Sequence, residues 1–224
     1  KVLGRHLSGQ PTVTLKKIIN DNNLFLELKN MGLKVTNSNV YRDEYLNKIR
    51  DPAERRIRPS VTTVMSMSAG IKFRTVADYN CNNGVYHDII GNMLRSSGYD
   101  AKFITPQKAA EVLYSISREY DFTLFEHFMS DLIGHGMDMK LAVEEVELLD
   151  SFLGRIIELV DLSKDVVFIT SDHGNLEDVS VKTHTMNRVP TIIMGDVPRE
   201  ITENIESLTD IMSAVLEIFK YKTH

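Results

Sequence analysis

Val166–Thr170 (VVFIT) is a short apolar run, mostly β-branched, and Ser171, Asp172, His173 and Gly174 follow it directly. Such a run specifies a central strand covered on both faces, which calls for helices packed against a mostly parallel sheet. In sheets of that kind functional groups gather at the carboxyl ends of strands, where this run delivers an aspartate and a histidine. Gly174 permits the turn that lets two neighbouring side chains converge rather than point to opposite faces. Taken alone, Asp-His-Gly serves equally well as an Asx turn with a helix cap.

The rest of the chain supplies the alternation that such a sheet needs. Leu15, Ile18, Ile19, Phe25, Leu26 and Leu28 predict a helix over Pro11–Met31 that stops at Gly32, and Leu33–Val40 reads as the returning strand. Helices are predicted over Ile90–Ser97, Pro106–Glu119, Met139–Val160 and Ser207–Phe219, and strands over Asp100–Ile104, Phe122–Phe128 and Val189–Met194. In the Met139–Val160 helix the apolar face should hold Leu141, Val146, Leu149, Phe152, Leu153, Ile156, Ile157 and Val160, with Glu144, Glu145 and Glu147 on the wet face. Tyr41 to Gly91 breaks the pattern with KIRDPAERRIR, VTTVMSMSAG and NCNNG. The expected architecture is a three-layer α/β sandwich with a mostly parallel central sheet, a core of residues 1–40 and 92–224 and an inserted cap of residues 41–91.

A length of 224 residues with 42% hydrophobic content is enough for one substantial core. The formal charge of -5 argues against a broad nucleic-acid footprint, which needs concentrated Lys and Arg. Cys81 is the sole cysteine, so an internal disulfide and a thiolate zinc site are both ruled out, and a reducing, cytoplasmic setting is expected. No apolar run reaches membrane-spanning length.

Two more segments carry metal-ligand chemistry. Asp131 and His135 are four apart, so a helical turn after the Phe122–Phe128 strand would put carboxylate and imidazole on one face. His184 lies in the polar turn ahead of Val189–Met194. Each is ordinary by itself, since such pairs and lone histidines are usually solvated; three strand-linked loops each bringing Asp or His is not. Oxygen and nitrogen donors without thiolate suit zinc or manganese. Lys48, Arg50, Arg55, Arg56 and Arg58 form a basic cluster that reads either as a solvated face or as a holder of phosphate.

Asp131-Leu-Ile-Gly-His135, Asp172-His-Gly-Asn-Leu-Glu177 and His184-Thr-Met-Asn187-Arg-Val-Pro190, in this order, resemble the alkaline phosphatase superfamily. The likeness is closest to cofactor-independent phosphoglycerate mutases, and GRHLSG near the start is similar to a smaller mutase-like metalloenzyme group. The resemblance implies two divalent ions, manganese or zinc. Asp131, His135 and His184 would hold one, and Asp172 and His173 the other, with Arg5, His6 and Arg188 close to a small phosphorylated substrate. It also implies a serine or threonine nucleophile and a further aspartate, for which nothing suitable stands ahead of GRHLSG. We therefore expect these parts to lie outside the sequence and the chain by itself to be impaired as a mutase or phosphatase. A cap as short as 41–91 puts mutase activity in question and leaves a hydrolase open. The alternatives are a phosphodiesterase or sulfatase of the same superfamily and a metal-binding module without catalysis.

Overall fold

The computed structural model describes residues 11–51, 53–54 and 56–222. The region expected as one helix over Pro11–Met31 is two, α1 (Val13–Asp21) and α2 (Leu24–Asn30). The break has a local cause in the polar run Asp21-Asn22-Asn23, whose side chains compete for backbone groups. Asn23 Oδ1 accepts from Leu26 N at 3.2 Å and starts α2, while its Nδ2 donates to Ile19 O at 2.7 Å and closes α1. After α2, Gly32 takes a φ of 82°, and Leu33 N donates back to Leu28 O as the chain turns into β1 (Val35–Asn37).

The next elements are α3 (Asp43–Arg50), α4 (Val61–Ser68), α5 (Val76–Asn80), α6 (Asn92–Ser96), α7 (Pro106–Ser117) and β2 (Phe122–Leu124). β1 and β2 pair in parallel, with Val35 opposite Phe122 and Asn37 opposite Leu124. α8 (Met129–Gly136) and the long α9 (Met139–Leu159) follow, then β3 (Val167–Thr170), β4 (Thr191–Met194), α10 (Arg199–Glu203) and α11 (Ile211–Lys222). The molecule is thus mixed α/β with a parallel strand pair.

Three expectations need correction. Asp100–Ile104 forms no strand; side chains hold it instead, with Lys102 N donating to Asn80 Oδ1 and Tyr79 OH to Lys102 O. β3 pairs antiparallel with β4, because residues 171–190 between them contain no crossover helix. Val167, Phe168 and Ile169 are only half-buried, since among the described residues β3 has a strand neighbour on one edge alone. Finally, the buried stripe of α9 runs through Ala142, Glu145, Phe152 and Ile156, leaving Leu141, Val146 and Ile157 exposed.

α7 packs along α9, and Ala109, Ala110, Val112 and Ile116 meet Phe152 and Ile156 in the larger core. Segment 41–91 contributes Val76, Tyr79, Val85, Tyr86 and Ile89 to the same cluster. A smaller core joins Phe25 and Leu28 of α2 to Val35 and Ala69, with Phe122 and Phe219 packed against it. Both cores support β2, the strand that leads into α8. Among the described residues no helix is long and apolar enough to cross a membrane.

Candidate metal centre

α8 begins five residues after β2 and presents Asp131 and His135 one turn apart, His135 Nε2 lying 3.4 Å from Asp131 Oδ1. The loop after β3 carries His173 Nε2 to 3.7 Å from the same oxygen, and His184 Nε2 reaches 3.1 Å from it. One carboxylate oxygen is therefore ringed by three imidazole nitrogens. The donor atoms of Asp131, His173 and His184 lie within 4.8 Å of one another, and His184 Nε2 is 3.1 Å from His135 Nε2. The His173 and His184 rings stack at 3.6 Å. Asp172 stands at the margin, its side chain 83% exposed and Oδ1 3.5 Å from His173 Nε2.

This geometry suits a bound cation. Bonds of about 2.0–2.2 Å in a tetrahedron place donor atoms about 3.4 Å apart, and the spacings around Asp131 Oδ1 bracket that value. His135 Nδ1 lies 2.6 Å from Lys182 O. A carbonyl only accepts, so Nδ1 carries the proton and the Nε2 lone pair of the neutral ring faces the cluster. His173 Nδ1 is buried without a partner among the described residues.

Several residues that hold the cluster were not singled out in the sequence, or were given only a general role. Asn175 Nδ2 donates to Asp131 O at 3.1 Å and to Asp131 Oδ1 at 2.9 Å, joining the β3 loop to α8. Gly134 makes that approach possible, because a Cβ there would stand 2.5 Å from Asn175 Oδ1. Glu177 accepts from Asn175 N at 2.6 Å, from Asn187 Nδ2 at 3.0 Å and from the Thr185 hydroxyl, so it braces both sides of the loop that carries His184. The Thr185 hydrogen bond is the largest influence holding the Glu177 carboxyl below the usual carboxylate range.

Glu126 is pushed up to about 7, chiefly by burial and further by the nearby charge of Asp172, against a hydrogen bond from Thr62 that lowers it. Asn39 fixes its backbone, donating to Glu126 O at 2.6 Å and accepting from Glu126 N at 2.8 Å. His127 pairs at 2.8 Å with Glu145. The two side chains meet without hydrogen-bond geometry, and Glu145, whose position in α9 reads as solvent-facing, is 7% exposed. Arg188 is exposed in the turn before β4, and Arg5 and His6 lie outside the described residues.

The comparisons with known proteins point the same way. The family model described as the Metalloenzyme superfamily matches residues 63–223. A 2,3-bisphosphoglycerate-independent phosphoglycerate mutase of Wolinella succinogenes is 31% identical over 133 residues, covering 56% of this chain and 27% of the mutase. The mutase of the same description from Desulforudis audaxviator is 28% identical over 127 residues, covering 54% of this chain and 25% of its own length. The chain thus spans about a quarter of the length of these curated relatives. Among solved structures, the PH0037 protein from Pyrococcus horikoshii matches in fold with a TM-score of 0.50 and 19% identity, over 75% of this chain and 39% of that one.

Proposed function

From the premise that this chain belongs to the Metalloenzyme superfamily, we propose that Asp131, His135, Asp172, His173 and His184 hold divalent metal, manganese or zinc, for phosphoryl transfer on a small phosphate ester. The observation that carries this reading is the ring of three imidazole Nε2 atoms around Asp131 Oδ1. In this reading Asp131, His135 and His184 hold one ion and Asp172 and His173 contribute to a second, with His173 Nε2 at the shared edge, 3.7 Å from Asp131 Oδ1. Such ions, when bound, lower the pKa of an attacking hydroxyl and neutralise charge on the phosphoryl oxygens.

The chain's own groups prepare that centre. Lys182 O fixes the His135 tautomer, Asn175 orients Asp131, and Glu177 secures the Thr185 and Asn187 turn next to His184. Glu126, pushed up to about 7, is partly protonated near neutral pH beside Asp172, which lowers the negative charge where a phosphate dianion would arrive. The two strand pairs belong, in this reading, to one three-layer sandwich with residues 41–91 as a cap. Turnover, in this reading, is either mutase or phosphatase chemistry through a serine or threonine nucleophile.

Elemental analysis and calorimetric titration with Mn²⁺ and Zn²⁺ test the assignment. Wild-type chain should bind metal, and His184→Ala should lose one ion while keeping its circular dichroism spectrum. Full metal retention by a folded His184→Ala chain would refute it.

A further inference from the structure

A groove of about 420 Å³ lies at the opposite end of the β1–β2 pair from the metal cluster. Lys34, Val35 and Thr36 line it where β1 begins, and Glu119 and Tyr120 line it just ahead of β2. Asp131 and His135, by contrast, follow the carboxyl end of β2. The groove therefore shares no lining residue with the cluster.

Arg74 lines the groove and is 6% exposed. Its Nη1 donates to Thr36 Oγ1 and to Asn37 O, both at 2.6 Å, and both acceptors are neutral. Its Nε has no hydrogen-bond partner, and among the described residues no carboxylate forms an ion pair with it. A buried charge without a counter-charge is costly, and an oxyanion is the natural complement of a guanidinium fork. Lys34 and Lys72 add two exposed cationic side chains to the lining, and Lys29 a third whose ammonium donates to Ala69 O at 2.6 Å.

Two carboxylates oppose these four cations. Asp78 is occupied in capping α5, accepting from Thr75 N at 2.8 Å and from Asn83 Nδ2 at 3.2 Å, while Glu119 is exposed. The lining holds four cations against two carboxylates, with Asp121 beside it accepting from Lys34 N at 2.7 Å, and the remaining positive excess favours an oxyanion. Gly70, at a φ of 64°, leaves open space beside the lysines, with nothing within 4 Å of where a Cβ would stand.

We propose that this groove is a second anion site, distinct from the metal cluster, that takes the phosphate group of a small phosphorylated compound. Arg74, through its unpartnered Nε, and the exposed Lys34 and Lys72 are the groups assigned to the phosphate. Occupancy would tie the start of β1 to the start of α5.

The test is calorimetric titration of the chelator-treated chain with inorganic phosphate, with chloride at matched ionic strength as the control. Saturable phosphate binding is expected. It should weaken at least about tenfold in the double variant Lys34→Glu/Lys72→Glu, whose exposed positions leave the fold intact, and stay unchanged in His184→Ala. Arg74→Lys keeps the charge but loses the fork, and should also weaken binding. If that variant does not fold, the lysine pair decides. Absence of saturable binding, equal heat with chloride, undiminished affinity in the lysine pair, or loss of binding in His184→Ala would each overturn the proposal.

Discussion

Glu126 shows what a single residue gains from its surroundings. In the sequence it is one acid in FEHF; in the fold, burial and the proximity of Asp172 raise its carboxyl from an ordinary 4.5 to about 7. Between those values the folded chain keeps a proton that the unfolded chain releases. The contribution of this group to stability is therefore complete below about pH 4.5 and is lost as pH rises through about 7. Urea unfolding of chelator-treated protein at pH 5 and pH 7.5 should show that decline in the wild type and a smaller one in Glu126→Gln. An identical pH dependence in the two would remove Glu126 as its source. The metal-ligand candidates were legible because aspartate and histidine announce themselves by chemical type. Glu126 and Asn175 were not, since their importance comes from neighbours brought together by the fold.

At the level of elements, periodicity located the helices better than their faces. α9 spans nearly the residues its pattern predicts, but its buried stripe includes Glu145, which lies against His127, a tertiary neighbour that no helical repeat records. Likewise α1 and α2 are separated by the capping bonds of Asn23, a residue whose propensity alone would not have split a helix. α8 presents the sharpest contest between local and tertiary preference. Gly134→Ala should favour the isolated helix by about 1 kcal/mol. Its new Cβ, however, would stand 2.6 Å from Asn175 Cγ, forcing the β3 loop away and breaking the contacts of Asn175 with Asp131. Divalent-metal affinity should fall about 10–100-fold, the usual effect of losing a group that orients a ligand, with helical content unchanged. Calorimetry paired with circular dichroism checks this; wild-type affinity in Gly134→Ala would show that the loop tolerates the methyl group.

Across the whole molecule, the alternation of strands and helices was readable as α/β, whereas strand direction was not. Hydrophobic runs do not state whether a connection crosses over, and residues 171–190 return β4 antiparallel to β3. The consequence is a molecule with two strand pairs that share no hydrogen-bonded ladder among the described residues. The Asp–His cluster spans them, since Asp131 and His135 follow β2 whereas His173 and His184 lie between β3 and β4. An ion held by Asp131, His135 and His184 would act as a clip between the halves, because His184 lies between β3 and β4, and would stabilise the chain by about 2.7 kcal/mol at a free concentration 100 times its Kd. Hydrogen exchange locates that effect. Adding Mn²⁺ or Zn²⁺ should slow exchange at the amides of β3 and β4 as well as in α8, because opening either half would release the ion. In His184→Ala the protection of β3 and β4 should disappear. Slowing confined to α8 in the wild type would mean that Asp131 and His135 bind the ion without the second strand pair.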